Sequence, residues 1–230
     1  MMYKNLEVLN KEIHKSSALR ELQDASFAKD IISAPLTVAE FFESCKDYPI
    51  VFAKEANGEW MATAMLGYKE KENLFINDEN RWESKRYIPA FIRRYPFIFV
   101  QQNDQLLLAF DGQLKSEDKE NESRKFFKED GTNSEFLDSV LKFLNQYQAD
   151  AKATSEFIKQ LDSWELLEEK VATIVNNKNE RYNINGFYVV NEEKLKNLSK
   201  KKKDDICAKN ALPLITAHLI SLSNIQRLGK

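Results

Sequence analysis

Short β-prone runs occur in pairs along this chain of 230 residues, and a few polar residues separate the two members of each pair. Runs of this length with a polar turn between them are typical of β-hairpins. Gly58 occupies the turn of the first pair, and a further run after Gly67 predicts a third strand of a small antiparallel meander. The predicted strands are 50–53 with 60–66 and then 73–76, 97–101 with 105–110, and 171–175 with 182–190.

Two short helices are predicted, one before the first of these strands and one between the strands 73–76 and 97–101. Thr37 and Glu40 have capping-box spacing, which predicts a helix from about residue 38 to residue 45. Pro89 and Pro96 confine a second helix between them. Proline is tolerated in a first helical turn, and it disfavours helical geometry in the residue that precedes it.

The longest helical pattern follows Thr132 and Glu135, a second pair with capping-box spacing. Apolar residues then recur at helical spacing as far as Leu161, which predicts one long helix or two helices with a break near residues 149–154. A terminal helix is predicted over 212–222. Segregated hairpins and helices favour an α+β fold, in which antiparallel hairpins or a meander pack with a long central helix and a buried C-terminal helix.

The domain organisation follows from the same patterns. Residues 1–36 alternate short apolar contacts with charge, and we interpret them as an N-terminal arm laid over the body. Residues 37–228 are expected to form a single α+β domain. The segment 115–131 is almost wholly charged or polar, so it predicts a loop, and a boundary between two subdomains is one interpretation of it.

The charge balance argues against a nucleic-acid partner. The chain has 34 basic and 36 acidic residues, so it lacks the strong positive field of a general nucleic-acid binder. The lysine run at 200–203 is followed by Asp204 and Asp205, and it is interpreted as a solvated helix start. No apolar window reaches the length of a membrane span, and no apolar signal segment follows the first basic residue. We expect a soluble cytoplasmic protein.

No cofactor or metal is predicted. Cys45 and Cys207 lie far apart and are expected to be buried, reduced thiols. The chain has two histidines, and neither a P-loop nor a GxGxxG string occurs. Paired carboxylates could support acid–base chemistry, but these acids are expected to be solvated in a charged loop. The acids concerned are Asp111, Glu117, Asp118, Glu129 and Asp130.

Arginine and aromatic residues are concentrated between residues 82 and 95, and two interpretations apply. Arginine forks bind carboxylate or phosphate, and aromatic faces stack on planar groups, so the cluster could hold a peptide terminus or another anion. Alternatively Tyr87, Phe91 and Tyr95 form the core face of a helix while the arginines pair with local acids. The candidate binding residues are Trp82, Arg86, Tyr87, Arg93, Arg94 and Tyr95.

His218 is the remaining candidate for the site. It lies in the apolar segment 212–222, where a neutral imidazole could act as an acid, a base or a ligand. The structural alternative is a histidine that is hydrogen-bonded within the core.

Several strings resemble the SapC family of bacterial proteins. The most specific is RYIPAFIRRYPF at 86–97, and the resemblance extends from about residue 6 to residue 228. Further matching segments are 49–54, 72–76, 127, 130–131, 143–147, 186–195 and 217–222. The family is associated with surface-layer protein loci, and no reaction or ligand carries over from it. The peptide-transport permease of the same name needs several membrane spans and is set aside.

The family association and the lack of a recognisable catalytic motif lead us to expect a cytoplasmic accessory protein that binds a surface-layer or secreted protein, or its export machinery, through the arginine and aromatic cluster or a sheet edge. The alternative is an enzyme of unrecognised type that acts on a peptide or a small anionic substrate, with Arg93, Arg94 and His218 as its candidate groups. A third possibility is a structural or regulatory subunit.

Overall fold

A computed structural model describes residues 2–55, 58–116 and 123–230. It has the α+β architecture expected from the sequence, and the described residues form antiparallel sheets of five, three and two strands, a long helix and a C-terminal helix. The strands are β1 (Leu6–Val8), β2 (Ala18–Leu19), β3 (Ser33–Leu36), β4 (Ile50–Lys54), β5 (Trp60–Met65), β6 (Phe97–Gln102), β7 (Gln105–Asp111), β8 (Lys115–Ser116), β9 (Leu167–Val175) and β10 (Arg181–Val190). The helices are α1 (Lys11–His14), α2 (Phe41–Ser44), α3 (Ala90–Arg93), α4 (Glu135–Ser163), α5 (Glu192–Lys196), α6 (Lys200–Ala208) and α7 (Leu212–Ser221).

All three predicted hairpins form. β4 pairs with β5 and β9 with β10 inside a five-stranded sheet of order β3-β5-β4-β10-β9. Gly58 has φ of +85°, a conformation that favours glycine, and residues 56–57 of the same turn lie outside the described residues. The hairpin of β6 and β7 lies in a three-stranded sheet of order β1-β7-β6 and turns through Asn103 and Asp104, which both have positive φ.

The long helix α4 is continuous over 29 residues, so the predicted alternative of two helices is wrong. Leu137 and Leu144 near its start pack in a smaller core with the three-stranded sheet, whereas Phe157 and Leu161 near its end pack in the larger core. The N-cap is Ser134, whose side chain accepts from the Leu137 N–H, and not the predicted Thr132. One rigid element therefore connects both cores.

The expected strand at 73–76 is absent from the described structure, where Ile76 forms only an isolated bridge with Trp82. The buried Asn73 side chain accepts from the Phe75 N–H, so a local turn replaces strand geometry. The predicted helix at 38–45 starts as a 3₁₀ turn over Val38–Glu40 and continues as α2.

The N-terminal arm contributes a strand to each of the three sheets, because β1 pairs with β7, β2 pairs with β8 and β3 pairs with β5. Within the expected loop at 115–131, residues 117–122 lie outside the described residues, and Phe126 and Phe127 belong to the smaller core. In the parts of the chain that the structure describes, no single helix is long and apolar enough to cross a membrane. α6 and the helical segment Leu212–Arg227 meet that test only together, with a bend of 93° between them.

Two expectations about exposure are wrong. Cys207 is exposed rather than buried, because it lies on the outer side of the charged helix α6, whereas Cys45 is partly buried. Asp111 does not belong to a solvated loop. It ends β7 and is completely buried, and Glu117 and Asp118 lie outside the described residues.

Candidate functional site

The start of α3 is fixed by a buried carboxylate. The Glu40 side chain is 5% exposed, and its Oε1 accepts hydrogen bonds from the Ala90 N–H at 2.6 Å and the Tyr87 hydroxyl at 3.1 Å. Its Oε2 accepts from the N–H and the hydroxyl of Thr37, both at 2.9 Å. The capping-box pair predicted from the sequence thus forms through Oε2, and Oε1 of Glu40 positions the RYIPAFIRRYPF segment.

A second buried carboxylate holds the other end of that segment. Asp111 Oδ2 accepts from the Tyr95 hydroxyl at 3.0 Å and from the Lys4 N–H at 2.9 Å. Burial, reinforced by this hydrogen bond, raises the pKa of Tyr95 well above its usual value, so the hydroxyl remains a donor. The Tyr95 ring stacks on Phe27 with 4.0 Å between ring centroids. The RYIPAFIRRYPF segment is therefore held at both ends by buried carboxylates.

Arg93 projects from α3 into an aromatic setting. Its Nε donates to the Ile88 carbonyl at 2.9 Å, and one terminal nitrogen donates to the Tyr87 hydroxyl at 3.1 Å. The guanidinium carbon lies 5.7 Å from the centre of the Tyr87 ring and 5.3 Å from that of Phe143 on α4. No described carboxylate forms an ion pair with Arg93, so its charge is held only by carbonyl, hydroxyl and ring contacts.

Arg94, the neighbour of Arg93, also lies against two aromatic rings, and one of its nitrogens lacks a hydrogen-bond partner among the described residues. Its guanidinium carbon lies 4.3 Å from the centre of the Phe91 ring and 5.3 Å from that of Tyr147 on α4. Its Nε is buried and has no hydrogen-bond partner among the described residues. Burial raises the pKa of the nearby Tyr3 hydroxyl to about 12, and the Arg94 charge partly opposes that rise. The described residues place no carboxylate within ion-pair distance of Arg94.

Two open cavities meet at Arg94. The first, of about 430 Å³, lies between α3 and α4 and includes Arg93, Pro96 and Phe143 in its wall. The second, of about 420 Å³, lies between β6 and α4, and its wall includes Phe99 and Tyr147. Arg94 and Leu144 line both cavities. We call this surface the Arg94 groove; it combines apolar walls with a cation that has no acidic partner among the described residues.

Trp82 and Arg86 lie apart from this groove. Arg86 donates to Asp47 Oδ1 at 2.9 Å and lies 3.5 Å from Glu83 Oε2, which is the local pairing expected from the structural interpretation. Trp82 Nε1 donates to the Tyr48 hydroxyl at 3.2 Å. The six clustered candidates therefore separate into two groups, and only part of the predicted site converges.

The interpretation that Tyr87, Phe91 and Tyr95 form one face of a helix is wrong. α3 begins at Ala90, after Tyr87, and ends at Arg93, before Tyr95. The three rings point to different neighbours because the tyrosine hydroxyls are held by separate carboxylates. Phe143 and Tyr147, four residues apart on α4, complete the groove, and their helical spacing is a signal from which this pairing could have been predicted.

His218 lies outside the groove, fully buried at the interface of α7 with β4 and β10. Its Nδ1 donates to the Ile50 carbonyl at 2.8 Å, and its Nε2 accepts from the Val190 N–H at 3.0 Å. Burial lowers its pKa to about 4, partly opposed by the Ile50 hydrogen bond. Both ring nitrogens are hydrogen-bonded to backbone groups within the core. This arrangement agrees with the structural alternative given for His218 in the sequence analysis.

Within the described ranges, no group of three or more His, Cys, Asp or Glu side chains is placed to bind a metal ion.

The family model named SapC matches residues 9–228. No curated protein and no solved structure matches the chain.

Proposed function

The chain belongs to the SapC family, whose model spans nearly all of it, and we propose that it is a cytoplasmic accessory protein that binds another polypeptide. The partner we propose is a surface-layer or secreted protein, or a component of its export machinery. That choice of partner comes from the association of the family with surface-layer loci. The binding surface is the Arg94 groove.

The observation that carries the proposal is a pair of adjacent arginines with no described carboxylate within ion-pair distance of either guanidinium. Aromatic rings hold each guanidinium in place, so little side-chain freedom is lost when an acidic group binds. Arginine also donates two parallel hydrogen bonds to a carboxylate, which gives orientation as well as affinity. An acidic segment of a polypeptide fits this surface.

An enzyme acting on a peptide or a small anionic substrate is less well supported. His218 would be its proton-transfer group, and both nitrogens of that ring are occupied inside the core. Arg93 and Arg94 alone can bind and orient an anion, but guanidinium groups stay protonated at neutral pH and therefore do not act as general bases.

The proposal is tested by purifying the tagged protein from its own host in mild salt and identifying co-purifying proteins by quantitative mass spectrometry. A surface-layer, secreted or export protein should accompany the wild type and be lost from Arg93→Ala with Arg94→Ala. Arg81→Ala with Arg181→Ala removes the same charge from exposed positions and should retain the partner. Circular dichroism and thermal unfolding establish that both variants fold.

Equal partner recovery from the two double variants would overturn the groove as the binding surface. A clean monomer from the wild type would overturn the accessory function itself. Fractionation of the host cells tests the location, since we expect the protein in the cytosolic fraction, and its recovery only from the envelope or the medium would contradict that part of the proposal.

A further inference from the structure

The β6 strand has an unpaired edge beside the Arg94 groove. The order β1-β7-β6 leaves β6 at the end of its sheet. A sheet edge exposes backbone N–H and C=O groups that a further strand can pair with. The second cavity of the groove lies against β6 and has Ile98 and Phe99 in its wall.

The register identifies which β6 residues offer those groups. Phe97 lies opposite Phe110, and the Asp111 N–H donates to the Pro96 carbonyl at 3.0 Å. Alternate residues of an antiparallel strand hydrogen-bond to the same neighbour, so positions 96, 98, 100 and 102 face β7. The backbone groups of Phe97, Phe99 and Gln101 therefore point away from it.

At Phe97, the first residue of β6, the outward backbone groups already have hydrogen-bond partners. The Phe97 N–H donates to the Arg94 carbonyl at 2.8 Å, and the Phe97 carbonyl accepts from the Tyr3 hydroxyl at 3.0 Å. The described residues provide no such partner for the outward groups of Phe99 and Gln101. The open edge thus runs from Gln101 to Phe99 and stops at Tyr3 and Arg94.

From this geometry, and resting on the proposed function, we propose that the groove binds the C-terminal residues of the partner polypeptide as an added antiparallel strand, with the terminal carboxylate on Arg94. A strand antiparallel to β6 runs from Gln101 toward Phe97, so its C-terminal end arrives at Arg94. Tyr3 prevents the strand from continuing further. The Arg94 guanidinium, whose Nε has no described hydrogen-bond partner and which has no described carboxylate within ion-pair distance, then meets the negative charge of the peptide C-terminus.

The side-chain environment also suits a terminal residue. Leu144 and Ala151 of α4 face the cavity together with Ile98 and Phe99 of β6. These walls are apolar, so we expect the last or penultimate residue of the ligand to carry an apolar side chain. Main-chain hydrogen bonds would supply affinity, and this pocket would supply selectivity.

The experiment compares two pools of N-acetylated hexapeptides, randomised at every position, that differ only in a free C-terminal carboxylate or a C-terminal amide. Binding to the ¹⁵N-labelled protein is followed through the amide signals of Phe99 and Gln101. The free-acid pool should bind at least about tenfold more tightly than the amide pool, as expected for a charge-assisted, bidentate contact. Equal binding of the two pools, or no shift with either, overturns the proposal.

Two variants separate the contributions. Arg94→Gln should remove the preference for the free acid, whereas Arg181→Gln, at an exposed strand position, should leave it unchanged. Gln101→Pro removes an outward N–H without touching the β6–β7 ladder, and it should weaken binding in a folded protein. If the partner recovered from the host is retained by both Arg94→Gln and Gln101→Pro, this mode of binding is wrong while the accessory function stands.

Discussion

The Tyr95 hydroxyl and the Asp111 carboxylate form a 3.0 Å hydrogen bond that joins the end of the RYIPAFIRRYPF segment to the end of β7. Asp111 is fully buried, and its Oδ1 also accepts from the N–H groups of Asn5 and Gln113, both at 3.2 Å. Four donors from three parts of the chain therefore converge on one side chain. This carboxylate connects the N-terminal arm to the groove.

Tyr95→Phe should lower the free energy of unfolding by about 1–2 kcal/mol, because a hydrogen bond to a buried charged acceptor is lost. The stack on Phe27 is kept, so the change isolates the hydroxyl. Urea unfolding measures the effect. Tyr182→Phe is the matched control, since that hydroxyl donates to Glu180 at the surface and should contribute less than about 0.5 kcal/mol. Equal losses in the two variants would contradict the role of Asp111.

Glu40→Gln should destabilise the protein by about 2–3 kcal/mol, because both oxygens of Glu40 accept from donors and an amide NH₂ would face one of them. A double-mutant cycle with Tyr87→Phe should show a coupling of at least about 1 kcal/mol. Additive effects in that cycle would show that Glu40 does not hold Tyr87.

His218 should make stability fall at mildly acidic pH. Its pKa is about 4 in the folded protein and near 6.5 when unfolded, so the unfolded state binds the proton more readily. The stabilisation is complete above pH 6.5 and declines as the pH falls toward 4, by up to about 3 kcal/mol.

The measurement compares urea midpoints between pH 7 and pH 5 for the wild type and for His218→Asn. The variant should be less stable at pH 7 and should show a smaller change with pH. Parallel pH profiles would contradict the assignment of the dependence to His218.

The two cysteines should react at different rates with an aromatic disulfide reagent. Cys207 is exposed, whereas Cys45 is partly buried and burial raises the pKa of its thiol. One thiol should therefore react rapidly in the native protein and the second only slowly or after unfolding. Cys207→Ser should abolish the rapid phase, and persistence of that phase would place Cys45 at the surface.

Local sequence signals determined much of the secondary structure. The hairpin at 97–101 and 105–110 formed as predicted, because two β-prone runs separated by the polar residues Gln102, Asn103 and Asp104 pair through neighbouring residues alone. The capping-box spacing of Thr37 and Glu40 likewise predicted one pair of contacts of Glu40. It could not predict Tyr87 and Ala90 as further partners, since these lie 47 and 50 residues away.

The sequence by itself determined the α+β class, the hairpins and the concentration of arginines near residue 93. Only the tertiary structure decided which of those arginines converge. Arg86 found Asp47, while Arg93 and Arg94 were placed against Phe143 and Tyr147 of α4 without an acid. The same holds for His218, whose chemistry depends on backbone groups at Ile50 and Val190 that are distant in sequence. Charge pairing and burial depend on contacts between segments that are distant in sequence. The spacing of residues along the chain therefore does not predict them.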